Sequence, residues 1–259
     1  MTAIVWVTGA SSGIGAAFVD AAPDPAARVI GISRRPHPRA EHLPADLGDP
    51  ANWPVVERHF ADVLADTGAS RAAFLHCAGS VEARGPLAAT DPDAYTHAVL
   101  LNSAAGQVLG RAFLVAAEKA SVPATLLMCS SPAATNPRAG LSHYSAGKAA
   151  LEVWTRAVGA ELGEGSERRV LCIVPHATDT PMVRALIDAP EDQVPVSSLF
   201  RTAAANSTLA TPQQVAHEIW AAIDERRAQG AVVHVGATAV ALGGDQGAAI
   251  PRARAIPEA

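Results

Sequence analysis

What this 259-residue chain lacks narrows it first. Lysine is nearly missing, since only Lys119 and Lys148 occur among 20 basic residues, and tyrosine is as scarce, at Tyr95 and Tyr144. There is no basic excess: the formal charge of −5 excludes non-specific nucleic-acid binding, which needs a basic face. Cysteine is sparse as well. Cys77, Cys129 and Cys172 are odd in number, lie in or at the end of apolar runs and show no metal-ligand spacing. They read as buried thiols of a reducing cytoplasm, with no disulfide frame and no metal site. No apolar run approaches the ~20 residues of a membrane span, and the opening MTAIVWVTGA offers neither a basic leader nor a signal-length apolar core. A cytoplasmic protein with neither nucleic acid nor membrane as partner is expected.

What is present describes a compact globule, 49% apolar and 17% charged. Short β-branched runs at 3–7, 28–32, 71–77, 124–129, 169–174 and 231–235, with a weaker one near 41–45, alternate with helical patterns. Their near-continuous apolarity is that of parallel strands buried on both faces. Asp49-Pro50, Asp91-Pro92 and Thr211-Pro212 each set a capping side chain before a proline at the first helical position. The alternation predicts an α/β fold, a single Rossmann-type doubly wound parallel sheet flanked by helices. One domain is expected over 1–235. A Pro/Ser/Thr/Asp-rich segment, 175–211, would overhang a strand's carboxyl end, with one short helical piece near 181–188, and the 236–259 tail would be loosely ordered or partner-dependent.

VTGASSGIGAAFVD follows the first strand and opens the first helix. Gly9 permits a tight turn, Gly13 lets a pyrophosphate approach the backbone, and Gly15 lets helix pack on strand, while the helix N-terminus offers unpaired N–H groups to phosphates. The second strand ends in Ser33, Arg34 and Arg35 with no acid to accept a ribose 2′-hydroxyl. The planar forks of arginine suit a 2′-phosphate instead, so the expected cofactor is NADP(H).

T-G-A-S-S-G-I-G, followed by Tyr144-x-x-x-Lys148, resembles the short-chain dehydrogenase/reductase family, and the match runs from residue 1 to about 235. HCAG (76–79) stands where the family has N-N-A-G, Asn102 lies in the next helix, Ser131 precedes Tyr144 by thirteen residues, and PHATDTPM stands where P-G-x-x-x-T is usual. The D-T-x-M run and S-R-R look most like the sepiapterin reductase and benzil reductase branch. The resemblance implies a cofactor held by Gly9, Ser11, Ser12, Gly13, Ile14 and Gly15 at the phosphates, with Ser33, Arg34 and Arg35 at the ribose. It places Asp46 and Leu47 at the adenine and Cys77, Ala78 and Gly79 along the cofactor. Pro175, Thr178 and Thr180 would meet the nicotinamide, and Tyr144 and Lys148 its ribose. His176 departs from the family's glycine and would line the substrate pocket with Ser131, Leu141, Tyr144 and Met182. His76 and Cys77 replace paired asparagines, so a side-chain brace for the central sheet would be lost.

Each catalytic role has a chemical reason. A free phenol titrates near pH ~10, and Lys148, one helical turn away, would lower that value for Tyr144 as general acid. Ser131 would hydrogen-bond the substrate oxygen as charge develops. Asn102, as the resemblance implies, would hold a water relaying protons towards Lys148. The pocket wall, drawn from residues such as Val81, Pro137, Leu186, Leu199 and Phe200, is apolar, with His143, His176 and Arg184 as polar contributors. An NADPH-dependent reductase of a neutral ketone or diketone is expected. A non-catalytic NADP(H)-sensing regulator and an acyl-chain ketoreductase are the alternatives. Helices at 92–119 and 141–163, apolar beyond one face, together with the resemblance imply a homodimer or homotetramer.

Overall fold

The computed structural model describes residues 3–225 and 227–236. Among the described residues seven strands form one parallel sheet: β1 (Ala3–Thr8), β2 (Arg28–Ser33), β3 (Glu41–Pro44), β4 (Arg71–His76), β5 (Ala124–Cys129), β6 (Arg168–Pro175) and β7 (Val232–Val235). Their order is β3-β2-β1-β4-β5-β6-β7. The direction of winding reverses between β1 and β4, which opens a crevice at the strands' carboxyl ends. β1 and β5 are buried at every residue, which is why their sequences show no polar alternation.

Helices cover both faces. On one lie α2 (Trp53–Asp66), α4 (Ala105–Ala120) and α5 (Ser142–Leu162); on the other, α1 (Gly13–Asp20) and α8 (Pro212–Asp224). An aromatic cluster of Trp6, Phe60, Phe74 and Phe113 fastens α2 and α4 to the sheet, with ring centroids 5.0–5.9 Å apart. Opposite, Phe18 of α1 stacks on Trp220 of α8 at 4.1 Å. The predicted caps form. Asp91 accepts the Ala94 N–H at 2.8 Å to start α3 (Pro92–Val99), and Thr211 with Gln214 builds a reciprocal capping box on α8.

Three features differ from the sequence expectations. The continuous helix expected over 92–119 is interrupted by a π turn at Leu100–Ala104, which re-registers the chain around Asn102. The segment Pro92–Ala120, at 29 residues, is also apolar enough by length and composition to cross a membrane. Here, however, Leu109, Phe113, Leu114 and Ala117 are buried on the sheet. Finally, the 175–211 segment carries two helices rather than one, α6 (Pro181–Ile187) and α7 (Ser197–Ala205). Their side chains close a third apolar cluster with Val81, Leu141 and Val194. The expectation about the tail lies, from residue 237 on, outside the described residues.

Candidate active site

A cavity of about 210 Å³ opens at the carboxyl ends of β1, β4, β5 and β6, at the reversal point of the sheet. Its floor and one end come from the glycine turn. Gly9 and Gly13 have φ of +68° and +56°, and a Cβ on Gly15 would lie 2.5 Å from the Gly9 carbonyl oxygen. Only glycine fits that approach of helix to turn. Ser12 precedes α1 without capping it through its side chain. The first turn of α1 is therefore left without a side-chain cap, as phosphate binding requires, while the Gly15 N–H is directed at the Cys77 sulfur. Ile14 lines the same end, and Ser11 stands beside it in the turn.

At the other end, Ser131, Tyr144 and Lys148 converge. Ser131 begins a short 3₁₀ turn after β5, its hydroxyl accepting the Ala133 N–H at 3.2 Å. Tyr144 and Lys148 share one face of α5. The Lys148 side chain is 2% exposed; its ammonium donates to the Cys129 carbonyl at 2.7 Å and sits 5.6 Å from the Tyr144 ring centroid. The sequence expectation for the phenol is corrected here. Burial raises Tyr144 above its ordinary value, and the Lys148 charge and the hydrogen bond with Ser131 offset that only in part.

Asn102 is fully buried, and its amide is committed: Oδ1 accepts the Ser80 N–H and Nδ2 donates to the Ser80 carbonyl, both at 2.9 Å. The side chain thus braces the loop after β4, while its Cβ and the backbone carbonyl pack against Gly147 of α5. Gly79 lies within 3.4 Å of the Lys148 ammonium, measured from an ideal Cβ. Cys77 lines the cavity, and Ala78 is fixed behind it by an N–H bond to Thr8.

The brace expected to be lost at His76 is present in another form. The Thr8 hydroxyl accepts the N–H groups of Cys77 and Ala78, both at 3.0 Å, and lies 3.2 Å from His76 Nδ1. The imidazole is held neutral, its pKa lowered to about 3 by burial and by the neighbouring Lys148 charge.

The residues expected at the ribose and adenine end or follow β2 and β3. Ser33 is buried and donates to the Arg35 carbonyl at 2.6 Å, while Arg34 is 63% exposed and only 3.9 Å from Asp46. Burial pushes the Asp46 carboxyl up, yet the Gly48 N–H and His97 together hold it below the usual carboxylate range. His97 was missed by sequence reasoning; it stands 3.0 Å from Asp46 across 51 residues, with no local signal. Leu47 is buried, and its carbonyl accepts the Trp53 indole N–H.

Pro175, His176, Thr178 and Thr180 line the wall from β6 onward. Thr178 donates to the His176 carbonyl at 2.7 Å. Thr180 caps α6, and its methyl group lies against Gly13. The His176 ring packs 5.5 Å from His234. Leu141, Met182, Leu186, Leu199 and Phe200 make the far wall apolar. Two expected polar contributors are elsewhere: Arg184 is forked onto Asp179 at 2.8 and 2.9 Å, and His143 is buried against Tyr95. Arg138, which sequence reasoning passed over, does line the cavity.

Comparison with known proteins agrees with this fold. The model of the short chain dehydrogenase family matches residues 3–191. The chain is 29% identical over 224 residues to 2,3-dihydro-2,3-dihydroxybenzoate dehydrogenase of Escherichia coli K12, covering 83% of this chain and 87% of that one. It is 24% identical over 247 residues to the (S)-benzoin-forming benzil reductase of Bacillus cereus, covering 89% and 98%. Among solved structures, ligand-free aldohexose dehydrogenase of Thermoplasma acidophilum superposes with a TM-score of 0.74 at 21% identity, covering 90% and 92%. The chain belongs to the short-chain dehydrogenase/reductase family of oxidoreductases.

Proposed function

We propose that the protein is an NADPH-dependent carbonyl reductase acting on a neutral, apolar ketone or diketone, with Tyr144 as general acid. The convergence of Ser131, Tyr144 and Lys148 opposite the glycine turn, in one cavity, carries this reading. The cavity suits a nicotinamide dinucleotide: Ser12 leaves the N-terminus of α1 without a side-chain cap, the close approach of α1 to the turn admits only glycine at Gly15, and Arg34 and Arg35, which follow β2, are the donors available to a 2′-phosphate. When bound, the reduced cofactor supplies the hydride.

The chain's own residues do the rest. Ser131 donates a hydrogen bond to the carbonyl oxygen and polarises it. The Tyr144 hydroxyl, kept protonated by its burial, transfers its proton to that oxygen as it gains charge, and the Lys148 ammonium stabilises the phenolate left behind. Leu141, Met182 and Phe200 exclude water around the reacting group. The benzil reductase relative supports an aromatic diketone as substrate.

Arg138 favours a second reading, in which the cavity takes a ring bearing a carboxylate, as the name of the dihydrodihydroxybenzoate relative describes for that protein. Turnover measured by loss of nicotinamide absorbance, with matched ketones and diketones with and without a carboxylate, tests both. Rates higher for the neutral members support the first reading. Turnover restricted to the charged ones supports the second, and none with any member alongside tight NADPH binding would leave a cofactor sensor.

We also propose a cytoplasmic homo-oligomer. All three cysteines are free, and Val99 and Val153, at 40% and 59% exposure, place apolar surface on α3 and α5. Light scattering coupled to gel filtration reads the assembly directly.

A further inference from the structure

We propose that Cys77 and Cys129 form a peroxide-sensitive dithiol in the floor of the cofactor cavity, closing reversibly to a disulfide when the cofactor is away. In the parallel pairing of β4 with β5, His76 lies opposite Met128. One residue further, at the strands' carboxyl ends, Cys77 and Cys129 stand side by side on the same face of the sheet. Adjacent strands run about 4.8 Å apart, inside the ~4.4–6.8 Å window of Cα separations that a disulfide spans. Both residues line the cavity. Cys77 is half-buried and Cys129 is 5% exposed, and the cavity gives a small oxidant its approach to both. The third cysteine cannot take part. Cys172 pairs with Met128, one position out of step with Cys129, so its side chain leaves the opposite face of the sheet.

The surroundings divide the roles. The Cys77 thiol hydrogen-bonds to the Cys129 sulfur and, with the nearby Lys148 ammonium, holds the Cys129 thiol below its ordinary value against the opposing effect of burial. Cys77 is raised by the same contact. Cys129 is therefore the attacking sulfur and Cys77 the resolving one. The Cys129 thiolate attacks one oxygen of a hydroperoxide and the O–O bond breaks. The alkoxide or hydroxide that leaves takes a proton, and Cys129 becomes a sulfenic acid. The Cys77 sulfur then attacks the Cys129 sulfur. An S–S bond forms, and hydroxide leaves as water with the Cys77 proton. The two sulfurs lose two electrons and the peroxide gains them.

The consequence for the site follows from what each cysteine touches. The Cys129 carbonyl anchors the Lys148 ammonium at 2.7 Å, and a Cβ on Gly9 would press on the Cys77–Ala78 backbone at 3.1–3.4 Å. Drawing the two strand ends together shifts both the lysine anchor and the bed of the glycine turn. This consequence rests on the reading of the cavity as the cofactor site; the disulfide itself does not.

The test treats the full-length protein, cofactor-free, with hydrogen peroxide, and reads intact mass and the cross-linked peptides. The expected result is a loss of about 2 Da and a Cys77–Cys129 peptide, with turnover down about tenfold or more and restored by dithiothreitol. NADPH present during treatment should prevent the loss. Cys77→Ser and Cys129→Ser should each abolish it, and Cys172→Ser should leave it intact. No 2 Da loss, or a cross-link involving Cys172, would overturn the proposal. Mass is read without turnover, so failure of the dithiol and failure of the reductase reading give separate outcomes: a disulfide that NADPH does not prevent would count against the cofactor site instead.

Discussion

The Thr8 hydroxyl donates to His76 Nδ1 at 3.2 Å. The direction is fixed by arithmetic of protons: Thr8 already accepts the N–H groups of Cys77 and Ala78, so its single hydrogen must go to the ring. His76 therefore carries its own proton on Nε2, which is buried and has no hydrogen-bond partner among the described residues. A threonine at the end of β1 and a neutral histidine at the end of β4 together fix the loop that lines the cavity.

That arrangement makes stability pH-dependent. His76 titrates at about 3 in the folded protein against ~6.5 unfolded. Between those values the unfolded chain binds a proton that the native one refuses, so stability is complete above pH ~6.5 and falls by ~1.4 kcal/mol per unit as pH drops. His76→Asn removes this dependence. Urea midpoints of the two proteins at pH 7 and pH 5 should show the wild type losing about 2 kcal/mol more than the variant. Equal losses would mean that the ring is charged, or hydrated, in the native state.

Gly147, between the acid and its lysine, is a packing contact rather than a hinge. A Cβ there would lie 2.8 Å from Asn102 Cβ and 2.9 Å from its carbonyl oxygen. Gly147→Ala should gain about 1 kcal/mol of helix propensity yet lose about 1–3 kcal/mol in overpacking against the π turn. It should also lower kcat, because α5 carries Tyr144 and Lys148 together. A thermal midpoint unchanged or raised in the variant would refute the close approach.

Much of this molecule was legible because parallel strands advertise themselves. β1, β5 and β6 are buried on both faces, so their apolar runs are uninterrupted. Prolines behind Asp91 and Thr211 marked helix starts by a local rule. The unread features are those set by tertiary contact. Leu100 and Leu101 are ordinary helix formers, so nothing local marks the π turn. Asp46 meets His97 only through the fold. A Tyr-x-x-x-Lys spacing shows that a cation is near but not how much water is excluded, and it is burial that sets the net direction for Tyr144. Ser197–Ala205 is framed by Val, Pro and Asn positions that read as loop, and its helix forms over the apolar cluster of Val81 and Leu141.

The two arginines after β2 should decide between the phosphorylated and unphosphorylated cofactor. Arg34 is 63% exposed and 3.9 Å from its nearest carboxylate, so its guanidinium is available to a 2′-phosphate. A charge-assisted hydrogen bond contributes about 1.5–3 kcal/mol. Arg34→Ala with Arg35→Ala should therefore weaken NADPH binding about 10- to 100-fold while leaving NADH nearly unchanged. Fluorescence titration with both cofactors gives the ratio. A parallel loss for the two would assign the arginines to general steering, and no loss would place the 2′-position elsewhere.

Tyr144 can be tested by both rate and pH. Tyr144→Phe removes the transferable proton and keeps the ring, so kcat should fall by about 10²- to 10⁴-fold with NADPH affinity little changed. Burial holds the phenol above its ordinary value, with Lys148 and Ser131 offsetting part of the effect. It is therefore protonated, and able to donate, throughout the neutral range. For carbonyl reduction, kcat/KM should be level through neutrality on this account and decline only at alkaline pH, as the phenol loses its proton before substrate binds. The residual activity of the Phe variant should lack that alkaline limb. A limb that survives in the variant belongs to another group, and a limb near neutrality in the wild type would mean that Lys148 outweighs burial after all.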